Sequence, residues 1–249
     1  MSVPDGDHCE AWRIAAMESP KDVEQGHDVV CACFGQQTHD GIFFAMNPGW
    51  DTPQGRAAGA KRLVERWRSI TKDRNGDPNT VFLKAVVPGQ DGEEQVVGIA
   101  IWVQASIVEG RGDAPMDLSK TMDLEALYPG NKAEQRYACQ LDASLHRRRG
   151  EVVKEKATAS PPAIMVLDLC VVHPDFQRRG IAGGLVRWGL DEAQRRGCLE
   201  CTTEASSMGR HVYTKLGFRQ EGGEIEFEVD EEFRGRDTPS NIFMRTEVS

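Results

Sequence analysis

The 249-residue chain predicts a mixed α/β fold, and three observations carry that prediction. Between residues 164 and 215, apolar runs of strand length alternate with stretches of helical period: strand 164–172, helix 181–196, strand 199–205, helix 207–215. Two more strands, 80–87 and 96–103, are joined by a polar turn over 88–94, which is a hairpin signal. With 39% hydrophobic residues the chain can bury a sizeable core. We read residues 1–249 as one domain with a polar insertion at about 105–162.

The first strand is expected at 12–16. Ser19 then caps a helix with Pro20 just inside it, and the apolar positions Val29, Val30 and Phe34 carry it on. Residues 40–55 read as a loop, with turn chemistry at Asn47, Pro48 and Gly49. The spacing of Leu63, Val64, Trp67 and Ile70 predicts an amphipathic helix over 57–70, which Asn75, Gly76, Asp77 and Pro78 bring to an end. The insertion is charged and holds a helical patch at 132–148. Its run His146, Arg147, Arg148, Arg149 reads as a solvated helix end, with too few apolar neighbours for a core. A turn at Gly217 and strands near 224–229 and 241–247 finish the chain.

Composition removes several function classes. A net charge of −9 opposes nucleic acid, which needs a basic face. No apolar run approaches the roughly 18 residues of a membrane span. The polar, acidic N-terminus is unlike a signal or transit peptide, so a cytoplasmic protein is expected. Seven cysteines are scattered; Cys198 and Cys201 have C-x-x-C spacing but no second pair and no clustered histidines. Reduced, structural thiols and no metal are expected. The acidic stretch 221–232 is either a solvated edge or an attraction for a cationic amine.

Residues 173–184, HPDFQRRGIAGG, pose the functional question. A helix start leaves about four N–H groups unpaired, and their dipole end attracts anions. Arg178 and Arg179 add positive charge there, while Gly180, Ala182, Gly183 and Gly184 keep side chains out of the way. The physical reading is a phosphate-binding strand–loop–helix; the alternative is a packing turn. The G-x-x-x-x-G-K-[ST] loop is absent. The glycines at 180, 183 and 184 do not form G-x-G-x-x-G either, although Glu200 lies at the distance that motif would want.

The segment Val172, His173, Pro174, Asp175, Phe176, Gln177, Arg178, Arg179, Gly180, Ile181, Ala182 resembles the Q/R-x-x-G-x-G/A signature of the GNAT N-acetyltransferases. Tyr213, Gly217 and Phe218 match a second feature of that family, Tyr-x-x-x-Gly-Phe, at the expected distance. The resemblance covers most of the chain except the insertion, which is similar to those of small-molecule acetyltransferases of fungi. It implies a GNAT fold: a mixed, largely antiparallel central sheet flanked by helices, with the fourth and fifth strands splayed to admit a cofactor. It also implies acetyl-CoA as co-substrate. Backbone N–H groups of Gln177, Arg178, Arg179, Gly180, Ile181, Ala182 and Gly183 would cradle the pyrophosphate. The strand edge at Cys170, Val171 and Val172 would pair with the pantetheine arm.

Acyl transfer from a thioester to an amine needs a neutral nucleophile, a donor for the carbonyl oxygen and an acid for the thiolate. By the resemblance, Tyr213 is the acid and the N–H of Val172 the donor. Asp168 is the lone ionisable residue in the run 164–172. By period two it shares a face with Cys170 and Val172, so it is a candidate base or a holder of a cationic substrate. A carboxylate satisfied by an arginine or by backbone is the structural alternative. Glu204 and Ser206 are placed to line the slot, Ser206 equally to cap a helix, and His173 sits at the rim or on the surface. The expected reaction is direct acetyl transfer to a primary amine of a small molecule by a monomer or homodimer. A CoA-binding protein without catalysis and a dinucleotide-binding oxidoreductase are the rivals.

Overall fold

The structure, a computed structural model, describes residues 12–89 and 92–246. The N-terminal reading, the tip of the 88–94 turn and residue 247 of the last expected strand lie outside the described residues. Among the described residues one sheet of seven strands forms: β1 (Arg13–Ala16), β2 (Thr80–Pro88), β3 (Glu94–Ala105), β4 (Ile164–Val172), β5 (Glu200–Ser206), β6 (Phe218–Glu224) and β7 (Asn241–Thr246). Their spatial order is β1-β2-β3-β4-β5-β7-β6, and every neighbouring pair is antiparallel except β4 with β5.

One face of the sheet carries α1 (Pro20–Val30), α3 (Pro53–Arg68) and α6 (Lys132–Glu155); the other carries α7 (Ile181–Arg195) and α8 (Arg210–Lys215). Ser19 and Asp22 form a full capping box on α1, each side chain accepting from the other's backbone N–H. Beyond Val30 the chain does not stop but widens into a π-helical segment, Cys31–Gln37, a form that recurs at functional sites. The expected loop over 40–55 contains a short helix, α2 (Gly41–Met46). Its N-cap is Asp40, whose carboxylate accepts from the Phe43 N–H, and its apolar run buries Phe43 and Ala45.

Three further expectations are corrected. The final strands are 218–224 and 241–246, not 224–229: the acidic run 225–230 lies along the surface, paired to α6 at Arg147–Glu228 and Arg136–Asp230. The insertion, with α4 (Leu118–Thr121) and α5 (Leu124–Leu127) before α6, does build core. Tyr137 and Leu141 meet Ala45 and Phe233, while Val152 and Val153 pack on Ile164, Val166 and Phe243. The arginine run is not a helix end. It lies inside the 24-residue α6, and Arg149 points into the protein. Among the described residues, no helix is long and apolar enough to cross a membrane.

Helix α7 lies so close to β3 that Gly189 faces the Trp102 indole directly. A Cβ at that position would fall 1.9 Å from a ring atom of a fully buried side chain whose Nε1 donates to the Leu185 carbonyl. Gly189→Ala is therefore expected to destabilise the fold by about 3 kcal/mol or more, since neither backbone nor indole has room to yield. An unchanged Tm in thermal unfolding would contradict this packing.

Candidate active site

The parallel pairing of β4 with β5 is short. It runs from Ile164↔Glu200 through Met165↔Cys201 to Val166↔Thr202 and stops there. Past that point the strands separate, and the Thr203 hydroxyl spans to the Leu167 carbonyl at 2.9 Å. The expected splay is present, and it leaves the edge of β4 from Asp168 to Val172 open towards β5.

Cys170, Val171 and Val172 lie on that edge. The Val172 carbonyl accepts from the Gln177 side-chain amide at 3.0 Å, and its N–H faces the Cys33 thiol of the π-helical segment. Gln177 and Gln37 exchange two amide hydrogen bonds, at 2.8 and 3.1 Å, which tie the π-helical segment to the loop before α7. That loop makes a short 3-10 turn at Pro174–Phe176. It then takes two left-handed residues, Arg178 (φ 65) and the N-cap Gly180 (φ 84). Helix α7 has no side-chain cap, so its first N–H groups, from Ile181, Ala182 and Gly183 onward, have no partner from the helix itself. A Cβ at Gly183 would meet nothing within 4 Å, so the approach to these groups is open. Trp12 fastens the loop to the sheet: its Nε1 donates to the Arg179 carbonyl at 3.0 Å, and its ring packs against Gly184. The Arg179 guanidinium lies over the Phe176 ring at 4.9 Å. This is a fifteen-residue helix with a bare, glycine-lined N-terminus beside an open strand edge, an arrangement that fits a diphosphate followed by an extended arm.

Tyr213 reaches the same edge from α8. It is buried against Phe218, and its hydroxyl lies beside the Cys170 thiol. Gly209 makes room for it, since a Cβ there would overlap the phenol ring and its oxygen. Burial, and then the nearby Cys170, push the Tyr213 phenol well above its ordinary 10, so it keeps its proton. Burial likewise pushes Cys170 to about 12 and Cys33 to about 11. Neither thiol is a ready nucleophile at neutral pH.

Asp168 is elsewhere than period two suggests. Along β4, Ile101 faces Leu169 and Trp102 faces Leu167, so Asp168 is the extra residue of a bulge. The bulge resets the alternation. Cys170 and Val172 pack with α7 and α8, whereas Asp168 turns to the opposite face, towards α3 and α6. There its two oxygens accept from Arg66 Nη2 at 2.7 Å and Arg149 Nη1 at 2.6 Å. Burial alone would raise this carboxyl. The charges of Arg66 and Arg149, with His146 behind them, outweigh burial and hold it well below the usual carboxylate range. The geometry of Asp168 is that of the arginine-satisfied alternative, and a carboxylate held by two guanidinium groups is a weakened proton acceptor.

The remaining candidates settle as follows. Glu204 is not open to the slot but paired with Arg149. Ser206 acts as a turn acceptor for the Gly209 N–H at 3.3 Å. His173 accepts from the Asp175 N–H at 3.4 Å at the end of β4. Glu200 is buried in ion pairs with Lys156 and Arg245, which removes it as a ribose partner for a dinucleotide. Arg66, Arg149, Cys33 and Gln37 also stand around this candidate site, and sequence reasoning did not point to them. Only the arginine run carried a signal, and it pointed towards solvent.

Residues 145–220, from the middle of α6 to the start of β6, match the family model described as an acetyltransferase (GNAT) domain. A curated protein of Stachybotrys chartarum called an acetyltransferase is 29% identical over 164 residues, which covers 62% of this chain and 62% of that protein. Among solved structures, a mosquito arylalkylamine N-acetyltransferase-like protein superposes with a TM-score of 0.56 at 13% identity, covering 96% of this chain and all of that one. Arylalkylamine N-acetyltransferase 2 of Aedes aegypti gives 0.55 at 16% identity, over 96% and 99% of the two chains. An agmatine N-acetyltransferase gives 0.58 at 12% identity, over 94% and 97%. The sheet order, the splay at Val166 and the matched segment that builds both the helix mouth and Tyr213 agree with one another: residues 145–220 are similar to a GNAT acetyltransferase domain, and the whole chain shares the fold of these structures.

Proposed function

We propose that this protein transfers the acetyl group of acetyl-CoA to a primary amine of a small molecule. The observation that carries the reading is the open edge of β4, with the glycine-lined mouth of α7 at one end and the protonated Tyr213 at the other. The N–H groups of Ile181, Ala182 and Gly183 would hold the diphosphate, with Arg178 and Arg179 adding charge and Gly180 allowing close approach. Cys170, Val171 and Val172 would pair with the pantetheine arm. To do so, Val172 exchanges its Gln177 and Cys33 contacts for the arm, and its N–H becomes available to the thioester oxygen.

In this reading the amine nitrogen bonds to the acyl carbon and the carbon–sulfur bond breaks. Tyr213 hydrogen-bonds the departing sulfur and gives up its proton to it. The proton lost by the nitrogen leaves through water. Burial raises the phenol and raises the Cys170 thiol beside it, so an anionic sulfur left here without a hydrogen-bond donor is disfavoured and the Tyr213 hydroxyl would stabilise it. Transfer is direct, because Cys170 and Cys33 are both held protonated and no base lies on either. The amine class is the one named for the arylalkylamine and agmatine enzymes of similar fold. Half-buried Phe34, Phe44 and Trp50, the last two stacked at 5.5 Å, would give the acceptor an apolar wall beside Cys33.

Thermal unfolding with acetyl-CoA, CoA and NAD tests the reading first. Ligand at about 100 times its dissociation constant adds roughly 2.7 kcal/mol. An upward shift with both CoA species and none with NAD is expected, followed by thiol release when amines are supplied. No shift with either CoA species defeats the reading. A shift without thiol release from any amine would instead favour a binding protein.

A further inference from the structure

Asp168 and Glu204 each stand two residues past Val166 and Thr202, the last parallel pair of β4 and β5. They therefore flank the point where the two strands begin to part. One side chain joins them. Arg149 of α6 donates through Nη1 to Asp168 at 2.6 Å, through Nε to Glu204 at 3.1 Å, and through Nη2 to the second oxygen of Glu204. All three side chains are nearly enclosed, with exposures of 13% for Arg149, 14% for Asp168 and 4% for Glu204. Arg66, one-third exposed, covers the other oxygen of Asp168.

The cluster is thus two carboxylates and two guanidinium groups, with no net charge. Around it stand His146 of α6, itself paired with Asp142 at 3.1 Å, and Asn241 of β7, which donates to the Glu204 carbonyl. On the thioester side of β4 Cys170, Cys33 and Tyr213 are held in their uncharged forms; near Cys33 stands one carboxylate, Asp40 of the α2 cap, which accepts from the Phe43 N–H and is raised by burial. Within the Arg149 cluster no carboxylate is left without a guanidinium partner. Free carboxylates beside an amine raise its pKa and keep it protonated, which removes the lone pair that acyl transfer needs. A neutralised pair has no such effect, and enclosure then favours the uncharged amine.

Resting on the acetyltransferase reading, we propose that Arg149, supplied by the inserted segment, is a positioning residue that clamps the splayed strands and neutralises Asp168 and Glu204, so that the acceptor amine is received uncharged and is selected by its body rather than by its charge. The clamp replaces the backbone pairing that ends at Val166, and the planar fork of arginine suits a bridge between two carboxylates where a lysine would make a single point contact.

The test uses Arg149→Gln, Arg149→Lys and the charge-balanced double variant Arg149→Gln/Glu204→Gln. Thiol release from acetyl-CoA is followed against pH with phenylethylamine and with 1,4-diaminobutane as probes. In Arg149→Gln the cluster gains a net negative charge. The acid limb of kcat/KM for phenylethylamine is expected to move about one pH unit higher, a roughly tenfold loss at neutral pH that is recovered at alkaline pH. The preference is expected to shift towards the diamine. Arg149→Lys and the double variant keep the charge balance and should hold the limb at its wild-type position. An unmoved limb in an Arg149→Gln protein that still binds acetyl-CoA overturns the proposal. If Arg149→Gln does not fold, the other two variants decide, because an upward limb in either contradicts the charge argument. Failure of the wild-type protein to bind acetyl-CoA or to release thiol with any amine strikes the acetyltransferase reading itself and takes this proposal with it.

Discussion

Gly180→Asp should abolish stabilisation by acetyl-CoA. The residue has φ 84 and caps α7, so any side chain there is strained, and an aspartate sets a negative charge among the unpaired N–H groups of the helix mouth. A shift of roughly 5 to 10 °C is expected for the wild-type protein at saturating acetyl-CoA, given about 2.7 kcal/mol and a domain of this size. The variant is expected to show none. Gly180→Ala separates the two causes: its Cβ would meet only Trp12, at 3.8 Å, so it adds backbone strain without charge and should weaken the shift rather than remove it. An undiminished shift in the aspartate variant would mean that the loop is a packing turn.

Tyr213→Phe should leave acetyl-CoA binding intact and lower kcat by about 10²- to 10⁴-fold, the range for losing a positioned proton donor. The substitution keeps the ring that packs on Phe218 and loses only the hydroxyl beside Cys170, so its effect on the fold should be about 1 kcal/mol or less. Because burial holds the phenol protonated well above 10, its ionisation should not reduce the wild-type rate between neutral pH and about pH 10. Stopped-flow or steady-state thiol release with a fixed amine measures both. An unchanged kcat would make Tyr213 a core residue and leave the thiolate to depart unaided.

Much of this architecture was legible in the sequence. The strand 164–172 matches β4 in full, the helix predicted at 181–196 ends one residue sooner, and the hairpin, the serine cap and the mouth of α7 lie where composition and spacing put them. Those are local features. A glycine-lined helix start, a capping serine and a strand of nine apolar positions follow from dihedral preference and side-chain period, which a short window of sequence carries. Short elements were harder. The helix 41–46 hides in a window that also holds turn residues, and the acidic run 225–230 has the alternation of a strand but spends its charges on Arg136 and Arg147 of α6.

The electrostatics of the site belonged to the tertiary structure. Period two placed Asp168 beside Cys170 and Val172; a single bulge residue, set by the register of β4 against β3, turned it to the other face. The arginine run read as solvated because sequence shows charge but not what faces it. Arg149 lies 19 positions from Asp168 and 55 from Glu204, and Arg66 lies 102 from Asp168. Ion pairs over such separations have no period and no spacing rule, since they depend on where whole elements come to rest. Sequence alone therefore determined the strand and the helix mouth, because each is a local property of the chain, whereas Tyr213 was pointed to by the resemblance. Only the folded protein decided the charge state of the carboxylates beside them, because that depends on guanidinium groups brought in from α3 and α6.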